Sequence, residues 1–378
     1  MCAKSPGLEA RLAAEIDAGG PLTFERFMEL ALYDPEDGYY TASPSRVGMR
    51  GDFITSASMG PVFGEVLAGQ FLEMWEQLGQ PRDFAICEQG GNDGTFAADV
   101  RQALQPTPLA GVRWIFIEPV PHLREAQQER LRETPTHWVS SANELPEFCG
   151  VHFSNELFDA LPVHVVRSDG TRWNELRVGR SDGAFVWVEA ALSPGVTEAI
   201  EDFPSRPAGF TTEICTRYGE VLEGVGRRMQ RGFLLSIDYG MTTEALLADH
   251  RCEGTLRCYF GHRQDSSPLE TPGRKDITAH VNFSHLVREA LKAGWEPLAL
   301  TDQHHFLVGA SRKMLLAMDG HPNPAKLRPL MSLLHPENMG RQFHAILFAK
   351  GCKGMSLSGF QHAREADLKG CLKCPLAS

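Results

Sequence analysis

From residue 84 onward the chain repeats a short apolar run followed by a segment of helical periodicity. The runs stand at 84–87, 114–117, 137–139, 151–154 and 233–237. Apolar runs of this length, bounded by helical patterns, are typical of strands that are buried on both faces of a parallel sheet. The third run is the weakest. The pattern predicts an α/β fold with a doubly wound sheet.

The same periodicities predict the other elements. Helical patterns cover 8–16, 24–32, 62–75, 95–104, 121–131, 211–230, 282–293 and 303–334, and further strands are predicted at 295–301 and 343–349. We divide the chain into an N-terminal helical extension (1–80), a Rossmann-like domain (81–350) with a helical insertion (303–335), and a poorly ordered tail (351–378).

A small antiparallel β insertion is predicted at 163–210. Its short strands are separated by Asp169-Gly170 and Asp182-Gly183. Asp-Gly pairs favour the left-handed backbone of two-residue hairpin turns, so these strands are expected to form a meander.

Charge and composition argue against several classes of protein. Aspartate and glutamate number 48 against 37 lysines and arginines, which gives a formal charge of −11. A protein that binds nucleic acid obtains most of its affinity from positively charged side chains that contact phosphates, so no nucleic-acid partner is expected. No stretch approaches the roughly 18 consecutive apolar residues that a membrane span needs, so membrane insertion is not expected.

Cysteine usage and the N-terminal sequence predict a cytoplasmic protein. The nine cysteines are scattered and odd in number, which is typical of reduced thiols rather than a disulfide framework. Cys371 and Cys374 form the one close pair, which alone is weak evidence for zinc. The first residues carry Glu9, Glu15 and Asp17 and lack the apolar core of a secretory signal.

A glycine turn follows the first apolar run. Glu88 precedes Gly90, and Gly94 opens the next helical pattern. Ligands of open α/β sheets bind outside the carboxyl ends of the strands, where glycines allow close backbone approach and a helix N-terminus offers N–H donors. Because Asn92 and Thr95 break the GxGxxG spacing, a dinucleotide is disfavoured, and with it an NAD-dependent oxidoreductase. The alternative is that this glycine turn only connects the strand tightly to the next helix and binds no ligand.

Glu118 directly follows the second apolar run, 30 residues after Glu88. A carboxylate at this position can accept hydrogen bonds from ribose hydroxyls. With Glu88 and the glycines, it favours an adenosine-containing ligand without a pyrophosphate, and S-adenosyl-L-methionine (SAM) fits that description. The alternative is an exposed glutamate before Pro119.

Polar and apolar residues alternate where the fourth run ends, with Asn155, Glu156 and Asp159 as the polar members. In one interpretation Asn155 caps a short helix and the two acids are favoured by its dipole. In the other, Glu156 and Asp159 lie on one face and form an acidic pocket. A guanidinium stays charged and is a poor nucleophile. Paired carboxylates could bind it bidentately and orient it for methylation.

The histidines do not predict a metal site. His262, His280, His304 and His305 lack the spacing of a standard ligand set. Asp238, at the end of the fifth run, is expected to face the cleft.

Five segments stand in order along the chain and together indicate a family. They are Gly51-Asp52-Phe53-Ile54-Thr55-Ser56, Asn155-Glu156-Leu157-Phe158-Asp159-Ala160-Leu161-Pro162-Val163, Asp238-Tyr239-Gly240, Gly254-Thr255-Leu256-Arg257 with Gly261-His262-Arg263, and Asp276-Ile277-Thr278-Ala279-His280-Val281. In these segments the chain resembles the MidA-type methyltransferases, which include the mitochondrial complex I assembly factor that methylates a protein arginine. The resemblance covers about residues 20–351.

This resemblance implies a class I SAM-dependent methyltransferase that acts on arginine in a protein partner, and it suggests a respiratory-complex subunit as that partner. It implies cofactor contacts from Glu88, Gly90, Gly94 and Glu118, and from a loop that folds over the cofactor. In that loop the residues concerned are Gly51, Asp52, Phe53 and Thr55. It implies catalytic roles for Asn155, Glu156 and Asp159, and a substrate-side role for His280 and Asp238.

Two departures from the family pattern keep a second function open. Asn92 stands where the family usually has a glycine, and Ala57 and Ser58 stand where it usually has a proline and an acid. The alternative is therefore a catalytically weak or inactive homologue that acts as a binding or assembly factor.

Overall fold

The computed structural model describes residues 6–42, 60–132, 134–260, 263–318, 323–335, 340–352 and 356–372. The helices, in chain order, are α1 (Leu8–Gly19), α2 (Phe24–Tyr33), α3 (Pro61–Gln77), α4 (Thr95–Leu104), α5 (Pro121–Arg130), α6 (Pro194–Ala199), α7 (Tyr218–Arg228), α8 (Thr243–Leu246), α9 (Phe283–Lys292), α10 (Gln303–Ala310), α11 (Arg312–Ala317), α12 (Pro324–Leu334) and α13 (Glu365–Leu372).

The strands are β1 (Leu22–Thr23), β2 (Phe84–Gln89), β3 (Arg113–Ile117), β4 (Thr136–Val139), β5 (Phe148–Asn155), β6 (His164–Ser168), β7 (Trp173–Ser181), β8 (Ala184–Ala190), β9 (Thr211–Ile214), β10 (Met229–Met241), β11 (Arg257–Phe260), β12 (Arg263–Asp265), β13 (Asp276–Thr278), β14 (Val281–Asn282), β15 (Glu296–Asp302) and β16 (Phe343–Lys350).

The central sheet has the strand order β15-β16-β10-β5-β2-β3-β4. Strands β10, β5, β2, β3 and β4 pair in parallel. The order reverses beside β2, because β3 and β4 continue on one side and β5 and β10 on the other. Ligands of such sheets bind in the crevice at this reversal, outside the carboxyl ends of the strands. The fold therefore directs attention to the residues that follow β2 and β5.

The predicted α/β fold is confirmed, with one difference in strand direction. Strand β16 runs antiparallel to both of its neighbours, β10 and β15. The chain leaves β15 at the carboxyl edge, passes through α10–α12 and enters β16 at the same edge. Hydrophobic periodicity predicts that a strand exists but not its direction, so the sequence did not reveal this.

Sheet side chains alternate between two apolar layers. One layer contains Ile86, Phe153 and Leu235 with residues of α3, α4, α10 and α12. The other contains Cys87 and Leu234 with residues of α1, α2, α7 and α9. The sheet is thus covered on both faces, which fixes the positions of its carboxyl ends.

The β insertion is larger than predicted. It forms a separate sheet in which β1 of the N-terminal extension pairs with β7, and β9 pairs with β6. The helix predicted over 211–230 is therefore wrong at its start, because Thr211–Ile214 is a strand and the helix begins at Tyr218. The short β-branched segment completes the antiparallel sheet, and this long-range pairing overrides the local pattern.

The prediction of a poorly ordered tail is wrong for residues 356–372. Residues 358–360 form a helical turn, and α13 follows. Gln70 of α3 donates to Ser358 Oγ (2.8 Å) and accepts from the Gly359 N–H (3.1 Å). Leu357 and Phe360 are buried beside them. The contacts come from short pieces of chain, so no periodicity marks them in the sequence.

No described helix is both long and apolar enough to cross a membrane. In the same described ranges, no group of three or more His, Cys, Asp or Glu side chains is placed to hold a metal ion. Cys371 is buried, and Cys374 lies outside the described residues.

Candidate functional site

Glu88 lies at the carboxyl end of β2, beneath the glycine turn. It is 3% exposed, and its Oε2 accepts a hydrogen bond from the Trp114 indole N–H at 3.0 Å. Burial raises the pKa of Glu88 to about 8, and the negative charge of Glu118 adds to the effect. The carboxyl group thus has a partner inside the protein, and its predicted contact with the cofactor stays a prediction.

The raised pKa of Glu88 predicts a pH-dependent stability. In the unfolded chain the group loses its proton near its ordinary pKa of 4.5, whereas in the folded protein it does so at about 8. The bound proton therefore stabilises the folded protein fully below the unfolded-state pKa, and this stabilisation is lost as pH rises through the folded-state pKa. Glu88→Gln resembles the protonated form at every pH. Its free energy of unfolding should therefore exceed that of the wild type by about 2 kcal/mol or more at high pH.

Urea unfolding at about pH 5 and about pH 8.5 checks this expectation. The exposed Glu223→Gln is the control and should follow the wild type at both values. Equal wild-type and Glu88→Gln stabilities at the higher pH would contradict the assignment.

The loop after β2 has the left-handed conformations that its glycines favour. The φ angles of Gly90, Asn92 and Gly94 are +75°, +45° and +79°. Asn92 thus adopts a positive φ, which asparagine tolerates better than most residues. A Cβ built on Gly90 would lie 3.5 Å from Leu157 Cδ1. The loop after β2 and the turn after β5 therefore lie side by side at the carboxyl edge of the sheet.

Glu118 follows β3 and is almost fully buried. Its Oε1 accepts from the Val120 N–H (2.9 Å) and its Oε2 from Gln127 Nε2 (3.1 Å). Burial raises the pKa of Glu118 to about 7. A carboxylate offers about four acceptor positions, so both oxygens keep capacity for a further donor.

Gln127 of α5 connects Glu118 to the glycine loop. It is fully buried, and its Nε2 also donates to the Asn92 carbonyl at 2.7 Å. Its Oε1 accepts from the Trp138 indole N–H at 3.1 Å. One side chain thus fixes the Glu118 carboxylate relative to the loop.

These residues fit an adenosine ligand that has no pyrophosphate. Glu118 keeps free acceptor positions of the kind that vicinal ribose hydroxyls need, and its predicted ribose contact stays a prediction. Gly90 has no side chain to block a ligand, and the N-cap residue of α4, Gly94, supplies no side-chain cap, although Asp93 Oδ1 accepts from the Thr95 N–H at 3.0 Å. This donor and acceptor set suits SAM, in agreement with the sequence prediction.

The segment after β5 is a turn and not a capped helix. Asn155 ends β5, and residues 156–162 contain no helix. Asn155 Nδ2 donates to Glu156 Oε1 at 2.9 Å. Glu156 has φ +55°, and its N–H donates to the Ile237 carbonyl at 2.9 Å. The interpretation in which Asn155 caps a helix is therefore wrong. A left-handed conformation at a non-glycine residue is strained and points to a functional constraint.

Asp238 holds this turn from beneath. Its Oδ2 accepts from the N–H groups of Leu157 (3.1 Å) and Phe158 (2.8 Å), and its Oδ1 from that of Tyr239 (2.9 Å). Burial raises its pKa to about 8. Because Asp238 has no exposed surface, we interpret it as a positioning residue and not, as the sequence suggested, a substrate-side one.

Asp159 has an unsatisfied carboxyl oxygen. The residue is 3% exposed, and its Oδ1 has no hydrogen-bond partner within the described part of the chain. Burial raises the pKa of Asp159 well above its usual range, and the negative charges of Asp238 and Asp276 add to the effect. Asn155 Oδ1 is likewise buried and has no hydrogen-bond partner within the described part of the chain. Buried polar atoms are nearly always satisfied, so these two acceptors point to a donor supplied from outside.

His280 lies next to the same turn. The neighbouring Ala279 N–H donates to the Asp159 carbonyl at 3.0 Å, and the His280 ring stacks on Tyr239 with centroids 6.2 Å apart. Its Nδ1 is buried without a partner in the described residues. Burial lowers the pKa of His280 to about 4, so the imidazole is neutral at pH 7. Its predicted substrate-side role stays a prediction.

Several sequence predictions lie outside the described residues. These are the cofactor contacts of Gly51, Asp52, Phe53 and Thr55, the departures at Ala57 and Ser58, and the Gly261-His262 part of one family segment. The structure brings the others to the carboxyl edge of the central sheet: Glu88, Gly90, Gly94 and Glu118 after β2 and β3, and Asn155, Glu156, Asp159, Asp238 and His280 at or beside the turn after β5.

The sequence interpretation missed Gln127, Tyr33 and Tyr40. Gln127 lies in a strongly polar helix where nothing marks it as buried. Tyr33 and Tyr40 belong to the N-terminal extension, yet the Tyr33 hydroxyl donates to the Ala160 carbonyl at 3.0 Å. The run of tyrosines at 39–40 was the one available signal, because aromatic residues in a polar loop require a burial site.

Comparison with known proteins identifies relatives across most of the chain. The family described as "Putative S-adenosyl-L-methionine-dependent methyltransferase" matches residues 66–301. The mouse mitochondrial protein arginine methyltransferase NDUFAF7 is 27% identical over 367 residues, covering 88% of this chain and 82% of its own. The Drosophila melanogaster homologue is 29% identical and covers 74% and 69%.

Two solved structures from Burkholderia thailandensis share the whole architecture. One, described as a "likely methyl transferase" bound to S-adenosyl-homocysteine, has a TM-score of 0.85 and 29% identity, covering 95% of this chain and 96% of its own. The second, a native crystal structure of an uncharacterized protein of the same superfamily, has a TM-score of 0.82 and 30% identity with the same coverage.

Proposed function

Because the chain belongs to the SAM-dependent methyltransferase family that matches residues 66–301, we propose that it methylates an arginine side chain of a protein partner. The relatives named as protein arginine methyltransferases support arginine as the acceptor. The family resemblance supports a respiratory-complex subunit as the partner.

The observation that carries this proposal is the unsatisfied Oδ1 of Asp159, a buried acid close to the negative charges of Asp238 and Asp276. A buried carboxylate without a partner is costly, and a cation that donates hydrogen bonds removes the cost. A guanidinium is such a cation, and it stays charged because its pKa exceeds about 12. Leu157, two residues before Asp159, lies close to Gly90 of the glycine loop, which supports an acceptor site next to the cofactor.

The cofactor, when bound, supplies an electrophilic methyl group. The protein's part is to align the acceptor nitrogen with that group and to exclude water from the site. Asp159 binds the guanidinium and localises its charge away from the attacking nitrogen. The nitrogen loses one proton as it gains the methyl group, and the Asp159 carboxylate that pairs with the guanidinium is the group we expect to accept that proton.

The second candidate is a binding or assembly factor without useful catalysis. Asn92 in place of a family glycine favours it. The positive φ of Asn92 argues in the other direction, since the loop keeps a left-handed residue there.

A peptide experiment separates these functions. The purified protein is titrated calorimetrically with SAM, then incubated with radiolabelled SAM and peptide pools that hold arginine, lysine or citrulline at one fixed position. We expect micromolar cofactor binding and label in the arginine pool only. Label in the lysine pool would contradict the arginine assignment. Cofactor binding without label in any pool would favour the binding factor.

A further inference from the structure

We propose that a second pocket at the carboxyl edge of the central sheet binds a carboxylate, and that this carboxylate is an acidic side chain of the protein partner. The inference rests on the proposed function only in taking the partner to be a protein. It gives the chain a second contact with that partner, beside the candidate site for the acceptor arginine.

The pocket has a volume of about 460 Å³. It lies where β10 and β15 end and β16 begins, and its lining includes Met241, Thr301 and His344 from these three strands. Residues of α10 and of the C-terminal segment around His362 complete the lining. Clefts of this size commonly hold ligands.

Strand pairing and ring contacts connect this pocket to the candidate acceptor site. His344 pairs with Asp238, which holds the turn after β5. The Phe343 ring lies on the Tyr239 ring with centroids 3.8 Å apart, and Tyr239 stacks on His280. Because only β10 separates β16 from β5, the two sites are about 10 Å apart, which is two strand spacings. One protein partner can therefore reach both.

Two arginines supply positive charge at the pocket. Arg341 and Arg364 both line it and are exposed. Over the ranges that the structure describes, neither guanidinium forms an ion pair or a hydrogen bond. A guanidinium binds a carboxylate through two parallel hydrogen bonds. These two side chains thus offer donors to an anion that the described chain does not supply.

The positive ends of two helices lie at the same pocket. Phe283 is the first residue of α9 and Asp302 is the N-cap of α10, and both line the cavity. A helix N-terminus carries about half a unit of positive charge and favours a bound anion. In a chain with a formal charge of −11, this convergence of positive groups is a local exception.

His344 contributes an unsatisfied nitrogen. Its Nδ1 is buried and has no hydrogen-bond partner among the residues that the structure describes, although buried polar atoms nearly always have one. Burial lowers the pKa of His344, so the ring is neutral at pH 7. A neutral imidazole has one nitrogen that donates a hydrogen bond.

Asp302 and Asp367 are the acids in the lining, and both oppose a bound anion only weakly. Asp302 Oδ1 lies 2.8 Å from both the backbone nitrogen and Nδ1 of His305, so its charge already has donors. Asp367 is exposed, so water and salt screen its charge. The two guanidiniums and the helix ends therefore determine the sign of the ligand.

The test measures the binding of two rhodamine-labelled peptides by fluorescence anisotropy, with the full-length protein saturated with S-adenosyl-homocysteine. One peptide contains glutamates, the other has glutamines at the same positions, and neither contains arginine. The wild type should bind the glutamate peptide at least about tenfold more tightly. Arg341→Gln and Arg364→Gln should each weaken its binding about threefold, and the double variant about tenfold, because each removes one exposed charged partner.

Arg172→Gln is the matched control. It makes the same chemical change at a side chain that is 78% exposed in the β insertion, and it should bind the glutamate peptide as the wild type does. All variants should keep the wild-type melting temperature, because these side chains are exposed. Glutamate-peptide binding that the double variant retains in full overturns the inference.

Inorganic phosphate distinguishes a partner side chain from a small free anion. If the two peptides bind equally, and phosphate raises the melting temperature of the wild type but not of the double variant, the pocket holds a free anion and the partner assignment is wrong. Equal peptide binding without a phosphate effect overturns the inference entirely. Because neither peptide contains arginine, these outcomes are independent of the arginine, lysine and citrulline pools that test the proposed function.

Discussion

Replacing Asp159 with asparagine should lower kcat/KM for an arginine acceptor at least about a hundredfold, the lower end of what a positioned proton acceptor contributes. Asparagine keeps the shape of the side chain but carries no charge. It can neither pair with a guanidinium nor take up the proton that the nitrogen releases. Cofactor affinity should stay within about twofold, since a neighbouring neutral substitution leaves Glu118 and the glycine loop in place.

The stability of Asp159→Asn separates this loss from unfolding. Burial and the charges of Asp238 and Asp276 disfavour the ionised form of Asp159 in the folded protein. The amide removes that unfavourable charge, so the melting temperature should equal or exceed that of the wild type. Lower activity with equal or higher stability is typical of a group retained for function.

Two further variants complete this experiment. Glu156→Gln should spare cofactor binding and lower methyl transfer at least about tenfold, because its strained turn and its bond to Asn155 orient the same segment. Asp249→Asn makes the same chemical change at a side chain that is 88% exposed, and its activity should match the wild type. An Asp159→Asn enzyme within threefold of wild-type kcat/KM would remove Asp159 from the mechanism.

The positions of the strand-end residues could be predicted because they depend on local pattern. Short apolar runs predicted β2, β3 and β5, and the carboxyl ends of parallel strands meet at one edge of the sheet. Glu88, Glu118 and Asn155 could therefore be placed in one crevice from sequence alone. The two-residue hairpin turn at 182–183 was equally accessible, since Asp182 and Gly183 have the positive φ angles that such turns need. At Asp169-Gly170 the connection is instead a four-residue loop, 169–172, because Ser168 pairs with Trp173.

The partners of these residues could not be predicted, because they come from distant parts of the chain. Tyr40 reaches Asp276 across 236 positions, and Gln127 reaches Asn92 across 35. The turn after β5 looked equally like a helix start. Asp238, which is 81 residues away from Leu157, accepts from the Leu157 and Phe158 N–H groups, which the Asn155 side chain would have capped in a helix. Such choices depend on tertiary contacts, for which one sequence carries no local signal.

Replacing Glu118 with alanine should raise the Kd for SAM at least about fiftyfold. Two hydrogen bonds from ribose hydroxyls to a carboxylate contribute about 1.5–3 kcal/mol each, and about 1.4 kcal/mol corresponds to tenfold. Alanine also removes the acceptor of the Val120 N–H and one of the two acceptors of Gln127 Nε2. Glu118→Gln keeps the shape and should weaken binding about tenfold. Calorimetric titration with SAM and with S-adenosyl-homocysteine measures both.

The control for this prediction is Glu144→Ala. Glu144 likewise accepts a backbone N–H, from Ser140 at 3.0 Å, but it is exposed and lies beyond β4. Its loss should leave the Kd within about twofold. A Glu118→Ala protein with a Kd within threefold of the wild type would move the ribose contact elsewhere.

The pH dependence of binding identifies Glu118 independently of the alanine variant. Burial raises its pKa to about 7 in the free protein, and donated hydroxyl hydrogen bonds favour the ionised form. Cofactor affinity should therefore increase as pH rises from about 6 to about 8, and each binding event should release a proton at the lower values. Glu118→Gln has no proton to release, so its affinity should be flatter over this range. If the pH dependence persists in Glu118→Gln, a different group titrates at the cofactor site, and Glu88 on the neighbouring strand is the first to test.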